Sequence, residues 1–294
     1  MSERPGNKTR ARVWEITRDG GRMRSDHLAT EEPLEIRLLI QGERQTVAVT
    51  MRTPGNDFEL AAGFLHGEGV IAVPGDIARI SYCVDPTIDA AQQYNIVNVS
   101  LRGHVVPDLA PLERHFSISS ACGVCGKASL EALQVRGATP LTGGPEVAAE
   151  VLYGLPSKLS DAQRVFQQTG GLHAAALFDV AGNLIQLRED VGRHNALDKL
   201  VGWALLDGRL PLSEAILLVS GRTSFEILQK ALAAGIRIVC AISAPSSLAV
   251  DLAREYGITL VGFLRDDRCN VYSGQERVCL PSMHPAPASP ASVE

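Results

Sequence analysis

The sequence predicts an α/β protein in which a β-rich α+β portion is followed by a largely parallel sheet covered by helices. Three observations support this class. From residue 125 onward, short apolar runs alternate with segments of helical length, a pattern typical of parallel sheets buried on both faces. The first hundred residues carry short β-rich runs instead. Apolar residues make up 45% of the chain, which is enough for a substantial core.

In the N-terminal portion, the β-rich runs predict five short strands. They cover residues 13–17, 34–40, 46–51, 80–84 and 96–101. One helix interrupts them, opening after Pro54-Gly55 with Asn56 or Asp57 as its N-cap. The basic run formed by Arg10, Arg12, Arg18, Arg22 and Arg24 is interpreted as a frayed, solvated tail, with local contacts to anions as the alternative.

The second half of the chain predicts alternating helices and strands. Helices are expected at 160–168, 190–206, 224–234 and 246–256, and strands at 173–178, 184–188, 215–220, 236–242 and 258–264. We therefore expect an N-terminal portion at 1–120 ending in a mobile loop, an α/β domain at 121–280, and a disordered, proline-rich tail at 281–294.

Composition and charge exclude several classes of protein. The 28 Lys and Arg against 33 Asp and Glu give a net charge of −5, so no overall field attracts nucleic acid. No apolar stretch approaches the roughly 18 residues of a membrane span, and the polar N-terminus lacks the apolar core of a signal peptide. We expect a cytoplasmic protein that binds neither nucleic acid nor membranes. The six cysteines are too scattered for a disulfide scaffold, and Cys240 is predicted to be a packed core thiol.

Cys122 and Cys125 form a Cys-x-x-Cys pair that favours sulfur chemistry. Glycines follow both cysteines and permit turns in which the two sulfur atoms stand clear of the surface. The segment after residue 126 predicts a helix start, whose backbone amides stabilise a nearby thiolate. Zinc is disfavoured because it needs four ligands, and we expect neither a second such pair nor a His-x-Glu in the chain. A thioredoxin-like motif would follow an early strand in a βαβ unit, which is missing.

Polar segments follow three of the predicted strands, at the edge where open α/β sheets bind ligands. Ser220-Gly221-Arg222-Thr223-Ser224 offers close backbone approach, hydroxyl and amide donors, and a planar guanidinium for phosphate. Residues 243–247 open a helix in a similar way, and Arg193 and His194 stand at another helix start. Helix capping alone would explain either serine-rich segment, but a cap needs no guanidinium. For His194, a structural role and a ligand-binding role are equally open.

Two further segments complete a predicted ligand pocket. His173 follows a Gly-Gly turn and either starts its strand or faces a ligand. Phe263-Leu264-Arg265-Asp266-Asp267-Arg268 follows the last long strand and could hold a purine, a pterin or a phosphate, although a charged hairpin turn is the plainer interpretation. Together these segments predict a pocket for a phosphate-bearing ligand at one edge of the sheet.

Five motifs, in order along the chain, resemble the formate dehydrogenase accessory sulfurtransferase (FdhD) family. They occupy residues 120–126, 169–176, 189–199, 220–226 and 263–265, and the segments 52–55 and 59–65 fit as well. The resemblance covers roughly residues 13–279.

The resemblance implies a cytidine-deaminase-like three-layer fold with an added N-terminal portion, and a homodimer. It also implies a sulfurtransferase that takes persulfide sulfur from a cysteine desulfurase. The sulfur would pass to the molybdenum or tungsten bis(molybdopterin guanine dinucleotide) cofactor, as bound substrate, before its insertion into formate dehydrogenase. Cys122 would carry the persulfide, Cys125 would be its partner, and residues 263–268 would help to bind the cofactor.

We further infer that the phosphates of the dinucleotide lie against residues 220–224 and Arg193, with Phe263 and Arg265 against its rings. A free guanine nucleotide would then mimic the cofactor. Two other functions stay open. A non-catalytic binding chaperone would hold the cofactor and dock onto the apo-dehydrogenase, with structural cysteines only. A zinc-dependent nucleoside deaminase would need a His-x-Glu ligand set, and we expect no metal site.

Overall fold

The computed structural model describes residues 6–40, 42–102 and 139–280. The strands are β1 (Lys8–Thr17), β2 (Gly20–Ala29), β3 (Glu32–Ile40), β4 (Glu43–Arg52), β5 (Ile77–Tyr82), β6 (Ile96–Leu101), β7 (Val147–Ala148), β8 (His173–Phe178), β9 (Leu184–Asp190), β10 (Ile216–Val219), β11 (Ile238–Ala241), β12 (Thr259–Gly262), β13 (Asn270–Ser273) and β14 (Val278–Cys279). The helices are α1 (Asp57–Gly67), α2 (Ala90–Gln93), α3 (Ala149–Ala162), α4 (Phe166–Thr169), α5 (Arg193–Leu206), α6 (Phe225–Ala233) and α7 (Ser247–Glu255). The predicted mobile loop, from residue 103 on, and the predicted tail at 281–294 lie outside the described residues.

The main sheet has six strands in the order β13-β12-β11-β10-β8-β9. Only β10–β11 and β11–β12 pair in parallel, and the other three pairings are antiparallel. The prediction of a largely parallel sheet is therefore wrong. Short connections join β8 to β9 and β12 to β13. Strands joined by a short connection pair antiparallel, because a parallel pair needs a longer crossover. Apolar runs show that a strand is buried, but they do not show its direction.

Helices cover both faces of this sheet, as the sequence predicts. On one face, Leu200 of α5, Ile227 of α6 and Leu252 of α7 pack against alternate residues of the strands. On the other face, Leu152 and Leu155 of α3 pack with the remaining strand residues. Cys240 belongs to this second core, which confirms the prediction of a packed thiol. The chain is thus a mixed α/β protein with a three-layer centre.

The N-terminal portion forms a second sheet, in the order β4-β3-β6-β5, with α1 packed against it. Helix α1 crosses α5 at backbone contact. A Cβ at Gly63 would lie 1.8 Å from the carbonyl oxygen of Asp198, and a Cβ at Gly202 would lie 1.8 Å from that of Glu59. Only glycine permits this approach at either position. The crossing holds the N-terminal portion directly against the six-stranded sheet.

Residues 8–29, interpreted from the sequence in part as a solvated tail, form the hairpin of β1 and β2. All ten residues of each strand are paired, from Lys8 opposite Ala29 to Thr17 opposite Gly20. Arg22 and Arg24 both contact the carboxylate of Glu15, at 2.7 and 3.0 Å. The segment predicted to be a solvated tail is therefore a hairpin, and two of its five arginines, Arg22 and Arg24, pair with Glu15 across the strands.

Helix α3 begins well before the predicted start at residue 160. It contains Pro156, which removes one backbone donor and disfavours a helix at the level of sequence. Burial of Leu152, Leu155 and Leu159 outweighs that cost. Across the described ranges, no helix combines the length and the apolar character needed to cross a membrane.

Candidate functional site

The predicted ligand-binding segments meet at one edge of the six-stranded sheet. Strands β10, β11 and β12 end there, because they run in parallel. Strand β8 is antiparallel to β10, so it begins at this edge with His173, and β9 returns to it at Asp190. The topology therefore brings together five segments that are separated by up to about ninety residues.

His173, Gly221 and Arg193 lie in direct proximity. A Cβ on Gly221 would lie 3.3 Å from Nδ1 of His173 and 3.6 Å from Cδ of Arg193. Burial, together with the positive charges of Arg193 and His194, lowers the pKa of His173. The buried Nε of Arg193 has no hydrogen-bond partner among the described residues. A buried guanidinium nitrogen without a partner in the described residues, beside a glycine and the imidazole of His173, suits an anionic oxygen as ligand.

The loops after β10 and β11 are tied to each other at Thr223. Its backbone N–H donates to the carbonyl of Ala244 at 3.2 Å, and its own carbonyl accepts from the N–H of Ser246 at 2.9 Å. The Oγ1 of Thr223 is buried and finds no partner within the described part of the chain. Ser220 accepts the N–H of Ala174 at 2.9 Å, so its hydroxyl joins the loop to β8. Arg222 is exposed at the edge.

The loop after β12 presents an aromatic ring from a strained backbone. Phe263 is exposed and has a φ of 51°, which is rare for a residue with a large side chain. Its N–H donates to the carbonyl of Ser243 at 3.2 Å, and Leu264, fully buried, anchors the loop in the core. Arg265 donates to the carbonyls of Ile242 and Leu264 at 2.6 and 2.8 Å. Residues 266–268 are exposed.

His194, although adjacent in sequence to Arg193, points elsewhere. Its Nε2 lies 2.9 Å from the carboxylate of Glu226 and 3.3 Å from the hydroxyl of Ser224. It lines a cavity of about 500 Å³ between the N-terminal sheet and helices α5 and α6. Of the side chains predicted to bind the cofactor, His194 alone lines this cavity, so the structure separates it from the group around His173.

A buried ion pair supports the start of α5. Asp190 is fully buried and lies 2.6 Å from Nζ of Lys199. Its carboxylate also accepts the backbone N–H groups of Thr53 at 3.1 Å and Gly192 at 2.8 Å, and the side-chain amide of Asn195 at 3.1 Å. Lys199 in turn donates to the carbonyl of Thr53 at 2.8 Å. The turn that precedes Arg193 is thereby fixed to the N-terminal portion.

Sequence reasoning gave Thr53 and Lys199 no role of their own. Residues 52–55 and Lys199 appeared only as matches to family motifs. A signal for Lys199 was present, since Asp198 and Lys199 interrupt the apolar residues of a helix that is expected to be buried. A buried lysine needs a partner, and the partner is Asp190, nine residues earlier.

The cysteines that the structure describes are poor nucleophiles. Burial raises the pKa of the Cys240 and Cys269 thiols, and a hydrogen bond to Glu146 raises that of Cys279. Cys83 is buried. Cys122 and Cys125, the predicted sulfur-transfer pair, lie outside the described residues, so their placement stays a prediction.

The sequence contains one His-x-Glu, at His66-Gly67-Glu68, contrary to the expectation that this spacing is missing. Both ring nitrogens of His66 face backbone carbonyls, those of Ile71 and Ala233, each at 3.1 Å. This histidine therefore joins α1 to the end of α6. No three His, Cys, Asp or Glu side chains in the described portion are grouped as a metal site would require.

Comparisons with known proteins agree with the sequence motifs. The FdhD/NarQ family profile matches residues 29–279. The sulfur carrier protein FdhD of Streptomyces coelicolor is 53% identical over 279 residues, covering 94% of this chain and 97% of that protein. The protein of the same name from Sulfurisphaera tokodaii is 45% identical over 269 residues, covering 92% and 98%.

A solved structure shares the fold. The crystal structure of a formate dehydrogenase accessory protein from Desulfotalea psychrophila superimposes with a TM-score of 0.71 at 26% identity. The match covers 92% of this chain and 99% of that one. The family profile and near full-length relatives of about half-identical sequence lead to one conclusion: the chain belongs to the FdhD/NarQ family.

Proposed function

We propose that this protein is a sulfur carrier that loads the molybdenum bis(molybdopterin guanine dinucleotide) cofactor for formate dehydrogenase. Its relatives are named sulfur carrier proteins, and the related crystal structure is that of a formate dehydrogenase accessory protein. The observation that carries the proposal is the edge formed by His173, Arg193, Gly221 and Thr223, where two buried polar atoms lack partners within the described residues.

The chemistry begins with a persulfide on a cysteine desulfurase. The thiolate of Cys122 attacks the outer sulfur of that persulfide, the donor S–S bond breaks, and the donor cysteine leaves as a thiolate. Cys122 then carries the additional sulfur atom. The raised thiol pKa values of Cys240, Cys269 and Cys279 favour this assignment, because thiols that stay protonated attack slowly.

Cys125 has two chemically sound roles. It could stabilise the thiolate of Cys122, or it could attack the inner sulfur of the Cys122 persulfide. In the second reaction the S–S bond of the persulfide breaks, a Cys122–Cys125 disulfide forms and hydrosulfide leaves; oxidation of the two cysteines to the disulfide supplies the two electrons that reduce the outer sulfur. Delivery to the metal as sulfide needs the second role, and delivery as a persulfide needs only the first.

The cofactor is the bound substrate in this proposal. Its phosphates would contact Arg193, Arg222 and the loop at residues 220–224, and its rings would stack near Phe263 and Arg265. A free guanine nucleotide would occupy the same edge. The three-layer centre supports the cytidine-deaminase-like description, which stays a proposal, as do the homodimer and the cytoplasmic location.

The test is intact-mass analysis after incubation with a cysteine desulfurase and cysteine. We expect wild-type protein to gain the mass of one sulfur atom and Cys122→Ser to gain none. Cys279→Ser, which removes an exposed cysteine in the described part, is the matched control and should load normally. Undiminished loading of the Cys122→Ser protein would overturn the assignment. Retained maturation of formate dehydrogenase by a variant lacking both Cys122 and Cys125 would favour the binding chaperone instead.

A further inference from the structure

The hairpin of β1 and β2, here called the arm, carries apolar side chains that are exposed in the described part of the structure. Trp14 is 59% exposed, Ile16 77% and Met23 50%. Trp14 and Met23 are cross-strand partners, and Ile16 lies two residues further along the same face. A two-stranded hairpin is marginally stable in water by itself. A surface that covers this face would therefore stabilise the arm.

The arm is fixed to the body of the protein at its base. Thr30 donates its N–H to the carbonyl of Asn7 at 3.1 Å, and the hydroxyls of Thr9 and Thr30 lie 2.8 Å apart. The ammonium group of Lys8 donates a hydrogen bond to the side-chain carbonyl of Gln168. At about 3.4 Å per residue, Trp14 lies ~20 Å along the strand from Lys8. The apolar face of the arm thus extends away from its attachment.

The cavity beside His194 has the complementary composition. Val49 and Met51, on the edge strand β4, are 60% and 47% exposed and line it together with buried Ile36 and Leu60. Carboxylates from Glu31, Glu68, Asp198 and Glu226 also line it, together with Lys230, which is paired with Asp198, and His194, which contacts Glu226. The exposed side chains of Val49 and Met51 form an apolar rim. An apolar rim among carboxylates fits a ligand surface that is apolar and basic.

The charges of the arm match this cavity. Residues 8–29 contain six Lys and Arg and three Asp and Glu, so the arm has a net charge of +3. Because the whole chain has a net charge of −5, the residues outside the arm together carry −8. Glu31 lies two residues beyond the arm, which places the cavity of the same copy near the base of the arm. The apolar face, ~20 Å further out, suits the cavity of another copy.

We propose that the arm of one copy docks into the cavity of a second copy, and that the second arm returns the contact about a two-fold axis. Such an isologous arrangement buries both apolar faces at once and leaves no open surface for further growth. The inference rests on the homodimer of the proposed function and names the surfaces that form it. It makes no use of the cysteines or of the sheet edge.

The test measures self-association of the full chain by sedimentation equilibrium. An arm variant carries Trp14→Ser, Ile16→Ser and Met23→Ser, and a rim variant carries Val49→Glu and Met51→Glu. We expect a dimer for the wild type and at least about tenfold weaker association for each variant. Val84→Ser, which alters another exposed apolar side chain, should associate like the wild type. Circular dichroism and urea unfolding establish that each variant is folded.

A mixture of the two variants is the decisive sample. The arm variant keeps an intact cavity and the rim variant keeps an intact arm, so the mixture should associate more tightly than either variant alone. The docking would be overturned by variants that dimerise like the wild type or by a wild type that is monomeric. It would also be overturned by a mixture that associates no more tightly than its components, because arms would then contact arms rather than cavities. Persulfide loading is measured on the same samples. A wild type that dimerises but takes up no persulfide sulfur would contradict the proposed sulfur-carrier function without contradicting the docking.

Discussion

Helix α5 contributes one residue to each of two buried aspartate–lysine pairs, and the two pairs face different parts of the molecule. Lys199 reaches back to Asp190 at 2.6 Å, beside the sheet edge with His173 and Arg193. Asp198, the preceding residue, reaches Lys230 of α6 at 2.7 Å, beside the cavity. Both pairs are almost completely withdrawn from water. Their chemistry and burial are alike, so the comparison isolates what each pair holds in place.

The two pairs differ in the other partners of the carboxylate. Asp190 accepts backbone N–H groups from Thr53 and Gly192 as well as the amide of Asn195. Asp198 has Lys230 as its charged partner, and desolvation by burial raises its pKa despite that lysine. The first pair therefore fixes the turn before Arg193 to the backbone of Thr53, whereas the second joins two helices. A buried ion pair that orders a loop can position the binding residues on that loop, whereas a pair that joins two helices holds only the helices together.

The largest expected effect comes from neutralising each pair in turn. Asp190→Asn with Lys199→Met should weaken the binding of guanosine diphosphate by about tenfold, because the turn before Arg193 loses its attachment to Thr53. Asp198→Asn with Lys230→Met should change the affinity by less than about twofold. Titration calorimetry measures both.

Stability serves as the control for that pair of variants. Replacing both members of a buried ion pair avoids leaving one charge alone, so both double variants should fold and unfold cooperatively in urea. Similar unfolding free energies with different nucleotide affinities would assign Asp190 and Lys199 as positioning residues. Equal losses of affinity in both variants would contradict the distinction between the two pairs.

Much of this comparison could be predicted from the sequence, and some could not. The strands at 173–178 and 236–242 and the helices around α5 to α7 follow from apolar periodicity, which burial on two faces imposes. Strand direction was mispredicted because periodicity carries no direction. A strand at 13–17 was predicted, but the hairpin was missed because its second strand, Gly20–Ala29, is largely polar and exposed and therefore lacks the apolar pattern of a buried strand.

For the site, the sequence identified segments but not the side chains that meet. Arg193 and His194 are adjacent at the start of a helix, where successive residues point in directions about 100° apart. One therefore joins His173 and Gly221, and the other joins Glu226. Only the packing of α5 determines which goes where. The cavity was unpredicted because residues separated by about two hundred positions line it.

A smaller effect is expected from pH, and it arises on the sheet-edge side of the comparison. Burial and the nearby positive charges lower the pKa of His173 from its ordinary 6.5. As pH falls through 6.5, the unfolded chain takes up a proton before the folded one, so stability decreases toward the lower pKa of the folded state. Bound phosphates favour the charged imidazole, so binding of guanosine diphosphate should take up a proton and tighten as pH falls through this window.

His173→Asn separates this titration from that of the nucleotide itself. Calorimetry between about pH 5.5 and 7.5 should show a several-fold smaller change of affinity in the variant than in the wild type. Urea unfolding over the same range should show a weaker dependence of stability on pH. Identical pH profiles in the two proteins would remove His173 from the vicinity of the phosphates.

The smallest expected effect sharpens the same side of the comparison at Phe263. Its φ of 51° costs about 1 kcal/mol for a residue with a Cβ, and its exposed ring contributes little burial in return. Phe263→Gly should therefore raise the unfolding free energy by up to about 1 kcal/mol, offset in part by the freer unfolded chain. The same variant should bind guanosine diphosphate several-fold more weakly, because the ring is removed.

Phe166→Gly is the matched control, because Phe166 is a similarly exposed phenylalanine in α4 without a positive φ, and this variant should lose stability instead. A Phe263→Gly protein that is less stable than the wild type would show that the ring is retained for packing, and unchanged nucleotide affinity would show that it is not retained for binding.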